Sequence, residues 1–263
     1  TPKPSSAASD VYKRQKTNIA KQLAIFFEIL YAGKTPRINS DGVTSHEAVT
    51  GGSFQTISGG SMGFPKVLER TCISWILSFN TNDKNYNLSG SRVALLGSLT
   101  HSLSLYGALE AIFLGCEVHH LAGLSLSSQL EYLENKKIEI LYATPTQLRL
   151  MLSAKYQNYL IDGLRYIFIG GASIEQNTLA ELSKIAPNAE LKQFYGSSET
   201  SFITISDLLT PINSVGKAYP GVEIVLGDQP DKPVSVGETG RVWVRSPYFC
   251  LLYTSPSPRD ATL

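Results

Sequence analysis

The stretch Ser58-Gly59-Gly60-Ser61-Met62-Gly63-Phe64-Pro65-Lys66 packs three glycines, two hydroxyls and a lysine into nine residues. Such a loop can cradle phosphate. Glycines let the backbone approach oxygen atoms and turn its N–H groups toward them, serines donate further hydrogen bonds, and lysine supplies a mobile positive charge. The spacing is not that of a Walker loop, because Pro65 separates the last glycine from Lys66. Taken alone, a Gly/Ser loop is more often a flexible linker. A second segment, Gln193-Phe194-Tyr195-Gly196-Ser197-Ser198-Glu199-Thr200, places an aromatic ring, a glycine, hydroxyls and a carboxylate together. Beside a nucleotide, Tyr195 can stack on a base, Ser198 can donate to a phosphate and Glu199 can hold Mg²⁺ through carboxylate oxygen. The plainer reading is a polar turn after a strand.

Residues of this kind need a rigid frame. Between Ser91 and Tyr195 short apolar or β-branched runs alternate with stretches of helical period. Strands are expected at 92–96, 116–121, 138–142, 165–169 and 191–195, with helices around 105–113, 126–133, 145–153 and up to Ile185. Two capping boxes mark helix starts, Thr144 with Gln147 and Ser173 with Gln176. Strict alternation of strand and helix predicts an α/β fold with a mostly parallel sheet flanked by helices. Open sheets of this kind bind ligands beyond the carboxyl ends of their strands. The loops after Leu96, Tyr142, Ile169 and Tyr195 are therefore where chemistry is expected. After Thr210, Gly/Pro turns separate short strands at 222–226 and 241–245, which predicts a small β-rich subdomain.

In order along the chain, these segments resemble signatures of the acyl-adenylate-forming superfamily: acyl- and aryl-CoA synthetases, nonribosomal adenylation domains and luciferases. The loop 58–66 resembles that family's [ST]SGTTGxPK and Tyr195-Gly196-Ser197-Ser198-Glu199 its YGxTE. Ala143-Thr144-Pro145-Thr146, Gly170-Gly171-Ala172, Ser214-Val215-Gly216-Lys217 with Pro220-Gly221, and Gly237 to Val244 resemble four further segments, so the likeness runs from about Gly52 to Pro247. The resemblance implies that Ser58, Gly59, Gly60, Ser61, Gly63 and Lys66 handle the β- and γ-phosphates of ATP. It also implies that Gly170, Gly171, Ala172, Tyr195 and Gly196 surround adenine, Ser198 faces the α-phosphate and Glu199 binds Mg²⁺. His101, in the loop Gly97 to Leu103, resembles the histidine bordering the carboxylate pocket of acyl- and aryl-CoA synthetases. The implied reaction is ATP-dependent activation of a small-molecule carboxylic acid, followed by transfer to a thiol, coenzyme A or that of a carrier protein. Lys66, His101, Ser198 and Glu199 would be its catalytic residues.

The sequence also departs from that pattern. Gly59 and Met62 stand where the family usually carries hydroxyl residues, which keeps a catalytically degenerate AMP/ATP-binding module as the rival reading. A nonribosomal-type adenylation domain is disfavoured because no acidic residue occurs between Arg92 and Leu109 to pair with an amino-acid ammonium. A Rossmann oxidoreductase is disfavoured because no GxGxxG closes the first strand. The family's YxTGD segment, its hinge and a C-terminal domain with a catalytic lysine do not occur in the sequence, and few residues precede the loop. The chain is therefore expected to be a fragment of the family fold, inactive alone. Residues 1–15 and 250–263 are expected to be non-native or disordered tails, bracketing a partial AMP-binding core at 16–210 and a partial β-rich unit at 211–249.

Composition narrows the partners. Lys and Arg number 23 against 22 Asp and Glu, a net charge of +1 that offers no broad field for nucleic acid. Apolar stretches such as 121–126 fall well short of the ~20 residues a membrane span needs. Cys72, Cys116 and Cys250 are widely spaced and show no metal-ligand pattern, which fits a reducing, cytoplasmic setting. His119-His120 is expected on a strand with its two rings on opposite faces.

Overall fold

The computed structural model describes residues 6–48, 50–58, 66–153, 159–211 and 214–251. The elements in chain order are α1 (Ser6–Tyr31), β1 (Thr35–Asn39), β2 (Gly42–His46), β3 (Ser53–Ser58), β4 (Lys66–Thr71), α2 (Cys72–Tyr86), β5 (Arg92–Leu95), α3 (Ser102–Phe113), β6 (Glu117–His120) and α4 (Leu126–Asn135). They continue as β7 (Ile140–Ala143), α5 (Pro145–Leu152), β8 (Tyr166–Ile169), α6 (Gln176–Ile185), β9 (Glu190–Ser197), β10 (Ser201–Ser206), β11 (Lys217–Ala218), β12 (Glu223–Gln229), β13 (Lys232–Pro233) and β14 (Arg241–Arg245).

Three sheets result. The largest runs β11-β10-β9-β8-β7-β5-β6, and its strands β5 to β9 are parallel. A four-stranded sheet, β2-β1-β3-β4, precedes it, and a three-stranded antiparallel sheet, β13-β12-β14, follows. The mostly parallel sheet and the small β-rich C-terminal unit are as expected from the sequence.

Strand alternation divides the core cleanly. Val93, Leu95, Ile140, Tyr142 and Phe168 face a cluster containing Trp75 and Phe79 of α2 and Leu105, Tyr106 and Leu109 of α3. Ala94, Leu96, Leu141, Ala143, Ile167 and Ile169 face the other way, onto Leu130 and Leu133 of α4, Leu148 and Met151 of α5, and Leu182 and Ile185 of α6. The strand order explains this division. From β5 the chain steps outward to β6, then reverses to β7, β8 and β9. With right-handed crossovers, a reversal of direction moves the connecting helices to the opposite face. The reversal point lies between β5 and β7, and in open sheets of this kind ligands bind outside the carboxyl ends of the strands at such a point.

Several local expectations change. The Thr144–Gln147 capping box forms, with both reciprocal bonds present. The Ser173–Gln176 box does not: α6 starts at Gln176 with Glu175 as its cap residue, and no side chain caps it. β11 pairs with β10 in the large sheet, and Tyr219 behind it is buried in the main core, so the β-rich unit begins at β12 rather than near residue 211. Residues 6–15, set apart above as a tail, are helical and continuous with α1. At the other end the Cys250 N–H donates to the Glu199 carbonyl at 2.9 Å and the Leu251 N–H to the Glu69 carbonyl at 2.8 Å, so ordered pairing runs past Phe249. His119 and His120 do diverge, His119 toward the Tyr132 hydroxyl and His120 toward the Gly97 carbonyl. Among the described residues no helix is long and apolar enough to cross a membrane.

Candidate active site

Three chain segments meet at the carboxyl edge of the large sheet. Ile57 pairs with His101 in an isolated parallel bridge, which brings the end of β3 against the loop before α3. The Ser102 hydroxyl, in the first turn of α3, lies 3.5 Å from the Ile57 carbonyl and 3.2 Å from the Ser198 hydroxyl. Ser58 and Lys66 stand opposite each other in the β3–β4 pair. Gly59, Gly60, Ser61 and Gly63, with Met62, lie outside the described residues. The ends of the proposed phosphate loop, His101, Ser198 and Glu199 thus gather around the amino end of α3. The first turn of an α-helix has no intrahelical partners for its N–H groups and carries the positive end of the helix dipole.

His101 is exposed, and its side chain does not cap α3 although it occupies the cap position. A purely structural role as the helix cap is therefore set aside. Glu199 sits in the turn between β9 and β10, half-buried, and its carboxylate takes no hydrogen bond among the described residues. Among the described residues no group of three His, Cys, Asp or Glu could form a metal cage. A carboxylate with no hydrogen bond of its own suits Mg²⁺, which takes one or two carboxylates and fills its shell with phosphate and water oxygens.

The proposed adenine wall lies on the adjoining strands. Gly170, Gly171 and Ala172 follow β8, and Tyr195 lies on neighbouring β9, where burial pushes its phenol pKa up. The glycines here have structural reasons of their own. A Cβ at Gly170 would lie 2.2 Å from the Phe194 ring, and Gly171 has a φ of +96°, a left-handed conformation that disfavours a side chain. A Cβ at Gly196 would lie 1.9 Å from the Ser201 carbonyl oxygen, so the tight β9–β10 hairpin itself requires glycine there.

Sequence reasoning missed Arg70. Its guanidinium is fully buried behind the Ser198–Glu199 turn and donates to both of those carbonyls. Burial lowers its pKa to about 10. The signal was present: period-two alternation along β4 puts Arg70 on the same face as buried Leu68. Ser102 was missed as well, hidden beside the more conspicuous His101.

A doubly wound sheet with the β3 end, the Ser198–Glu199 turn and the amino end of α3 brought together at its strand ends defines an α/β protein of the adenylate-forming fold. Residues 56–254 match the family model described as AMP-binding enzyme, and the chain belongs to that family. It is 29% identical over 211 residues to the uncharacterized acyl-CoA ligase YhfT of Bacillus subtilis, covering 79% of this chain and 43% of that one. It is 31% identical over 184 residues to the putative long chain fatty acid-CoA ligase VraA of Staphylococcus epidermidis, covering 67% and 39%. Among solved structures it superposes on the o-succinylbenzoate coenzyme A synthetase MenE of Bacillus subtilis, in complex with ATP and magnesium ion. There the TM-score is 0.67 at 21% identity, over 77% of this chain and 43% of that one. VinN gives a TM-score of 0.66 at 19% identity, over 75% and 50%. The chain thus spans less than half the length of the curated relatives it matches.

Proposed function

We propose that the protein activates a carboxylic acid as its acyl-adenylate at the expense of ATP, and that the acyl group then passes to a thiol such as that of coenzyme A. The observation that carries this reading is the Ser198 hydroxyl held against Ser102 at the amino end of α3, with Glu199 following it in the same turn. Membership of the AMP-binding enzyme family, and likeness to proteins named as acyl-CoA ligases, support it.

In this reading a carboxylate oxygen of the acid attacks the α-phosphorus of ATP. The bond from that phosphorus to the bridging oxygen breaks, and pyrophosphate departs with the electron pair. Negative charge develops on the phosphoryl oxygens and on the leaving group, so fixed donors aimed there lower the barrier. Ser198 and the first-turn N–H groups of α3 serve the α-phosphoryl oxygens, while Ser58 and Lys66 serve the departing phosphates. Glu199 would hold Mg²⁺, which would supply charge neutralisation for the same phosphates. Tyr195 and Gly170 to Ala172 seat the base, and His101, exposed at the mouth of the α3 loop, borders the acid. Attack of a thiol sulfur on the acyl carbon then releases AMP and leaves a thioester.

The test is ATP–pyrophosphate exchange across a panel of carboxylic acids, with wild type and Lys66→Ala, in the uninterrupted protein that carries this chain. Exchange with at least one acid, reduced about 100-fold by Lys66→Ala, is the expected result. Nucleotide binding with no exchange for any acid would overturn it in favour of a noncatalytic nucleotide-binding module.

A further inference from the structure

Arg70 is the largest of the fully buried side chains among the described residues. A guanidinium removed from water loses its hydration, a cost that a carboxylate partner commonly offsets. Here the hydrogen bonds go elsewhere. Nη1 donates to the Tyr248 carbonyl at 2.9 Å and to the Ser74 hydroxyl at 3.3 Å, and Nη2 donates to the carbonyls of Ser198 at 2.5 Å and Glu199 at 3.1 Å. Nε finds no acceptor among the described residues. A buried cation spent on backbone carbonyls fixes the backbone that carries them.

That backbone is the turn holding Ser198 and Glu199. Its N–H side is satisfied locally, because the Ser197 hydroxyl accepts from the N–H groups of Glu199 and Thr200, both at 3.2 Å. Its carbonyl side has no such local partner and depends on Arg70, with the Cys250 N–H adding a second donor to the Glu199 carbonyl at 2.9 Å. The far end of the turn is held by the same assembly. Arg70 lies 5.3 Å from the centroid of the Trp75 ring, Trp75 Nε1 donates to the Ser201 hydroxyl at 3.2 Å, and Ser201 itself sits at a φ of +57°. A non-glycine residue in that conformation is held there by its surroundings rather than by its own preference.

We infer that Arg70 is a positioning residue for the reactive turn: its fork fixes the Ser198 and Glu199 carbonyls and thereby aims the Ser198 hydroxyl and Glu199 carboxylate at the triphosphate and its metal. This rests on the functional reading above. Lysine keeps the charge but presents no planar fork, so it cannot bond three carbonyls in fixed directions.

The experiment titrates the uninterrupted protein that carries this chain by calorimetry with Mg·ATP and with adenosine, comparing wild type and Arg70→Lys at a temperature below both thermal midpoints. Arg70→Lys weakens Mg·ATP about tenfold and leaves adenosine unchanged, because the base wall on β8 and β9 does not depend on the fork. A merely structural arginine would lower the thermal midpoint and leave the ratio of the two affinities alone, and that result overturns the proposal. Wild type that binds neither ligand defeats the functional reading itself, a distinguishable failure. Should Arg70→Lys not fold, Ser74→Ala removes only the hydroxyl that orients Nη1. A selective loss of Mg·ATP affinity there supports the positioning role, and full retention overturns it.

Discussion

Glu110 of α3 is buried to 2% exposure in the face of the core shared by α2, α3 and the large sheet. Its Oε1 accepts from Asn82 Nδ2 at 2.8 Å and from the Tyr106 hydroxyl at 3.1 Å, and its Oε2 accepts from the Tyr142 hydroxyl. Tyr219 completes the set by donating to Asn82 Oδ1 at 2.6 Å. Burial outweighs these donors, aided by Asp83, and pushes the carboxyl from 4.5 up to about 7. The folded chain therefore holds a proton between those pH values that the unfolded chain has released, and raising the pH favours unfolding. The contribution is complete below pH 4.5 and lost as pH rises through about 7. At about 1.4 kcal/mol per pH unit, the interval corresponds to about 3 kcal/mol. Glu110→Gln is neutral throughout and abolishes this term. Urea unfolding of both proteins at several pH values supplies the assay, and the other carboxylates cancel in the difference. The stability of wild type relative to Glu110→Gln falls by about 3 kcal/mol from below pH 4.5 to above pH 7. The absolute offset contains the cost of refitting the amide against Tyr142, so only the slope is diagnostic. Parallel curves for the two proteins would refute the reasoning.

Two further substitutions probe the frame. Thr144→Ala removes the hydroxyl that accepts from the Gln147 N–H at the start of α5, and denaturant titration should show a loss of about 1 kcal/mol. Gly196→Ala drives a methyl group against the Ser201 carbonyl oxygen and should destabilise the chain by about 1–3 kcal/mol in the same titration. Because that hairpin carries Ser198 and Glu199, nucleotide affinity measured by calorimetry should fall in Gly196→Ala.

Much of this protein was legible in its sequence because the information is local. Short apolar strands alternating with helical periods reported the parallel sheet, and the Thr144–Gln147 pair reported the start of α5 to the residue. The segments around Lys66 and Tyr195 to Glu199 reported an AMP-binding enzyme because a glycine-hydroxyl-lysine loop and a hydroxyl-carboxylate turn are contiguous in the chain. The Ser173–Gln176 box misled because residue types alone do not state where a helix begins. What only the tertiary structure decided is which distant residues support those local ones. Arg70 reaches the Ser198 and Glu199 carbonyls across more than a hundred residues, Ser102 meets Ser198, and Glu110 draws α2, α3, β7 and Tyr219 into one buried network. An arginine, a serine or a glutamate in isolation reads as surface. The polar partners that make burial tolerable come from segments far apart in sequence, so burial and partnership emerge only once the strands are ordered in the sheet.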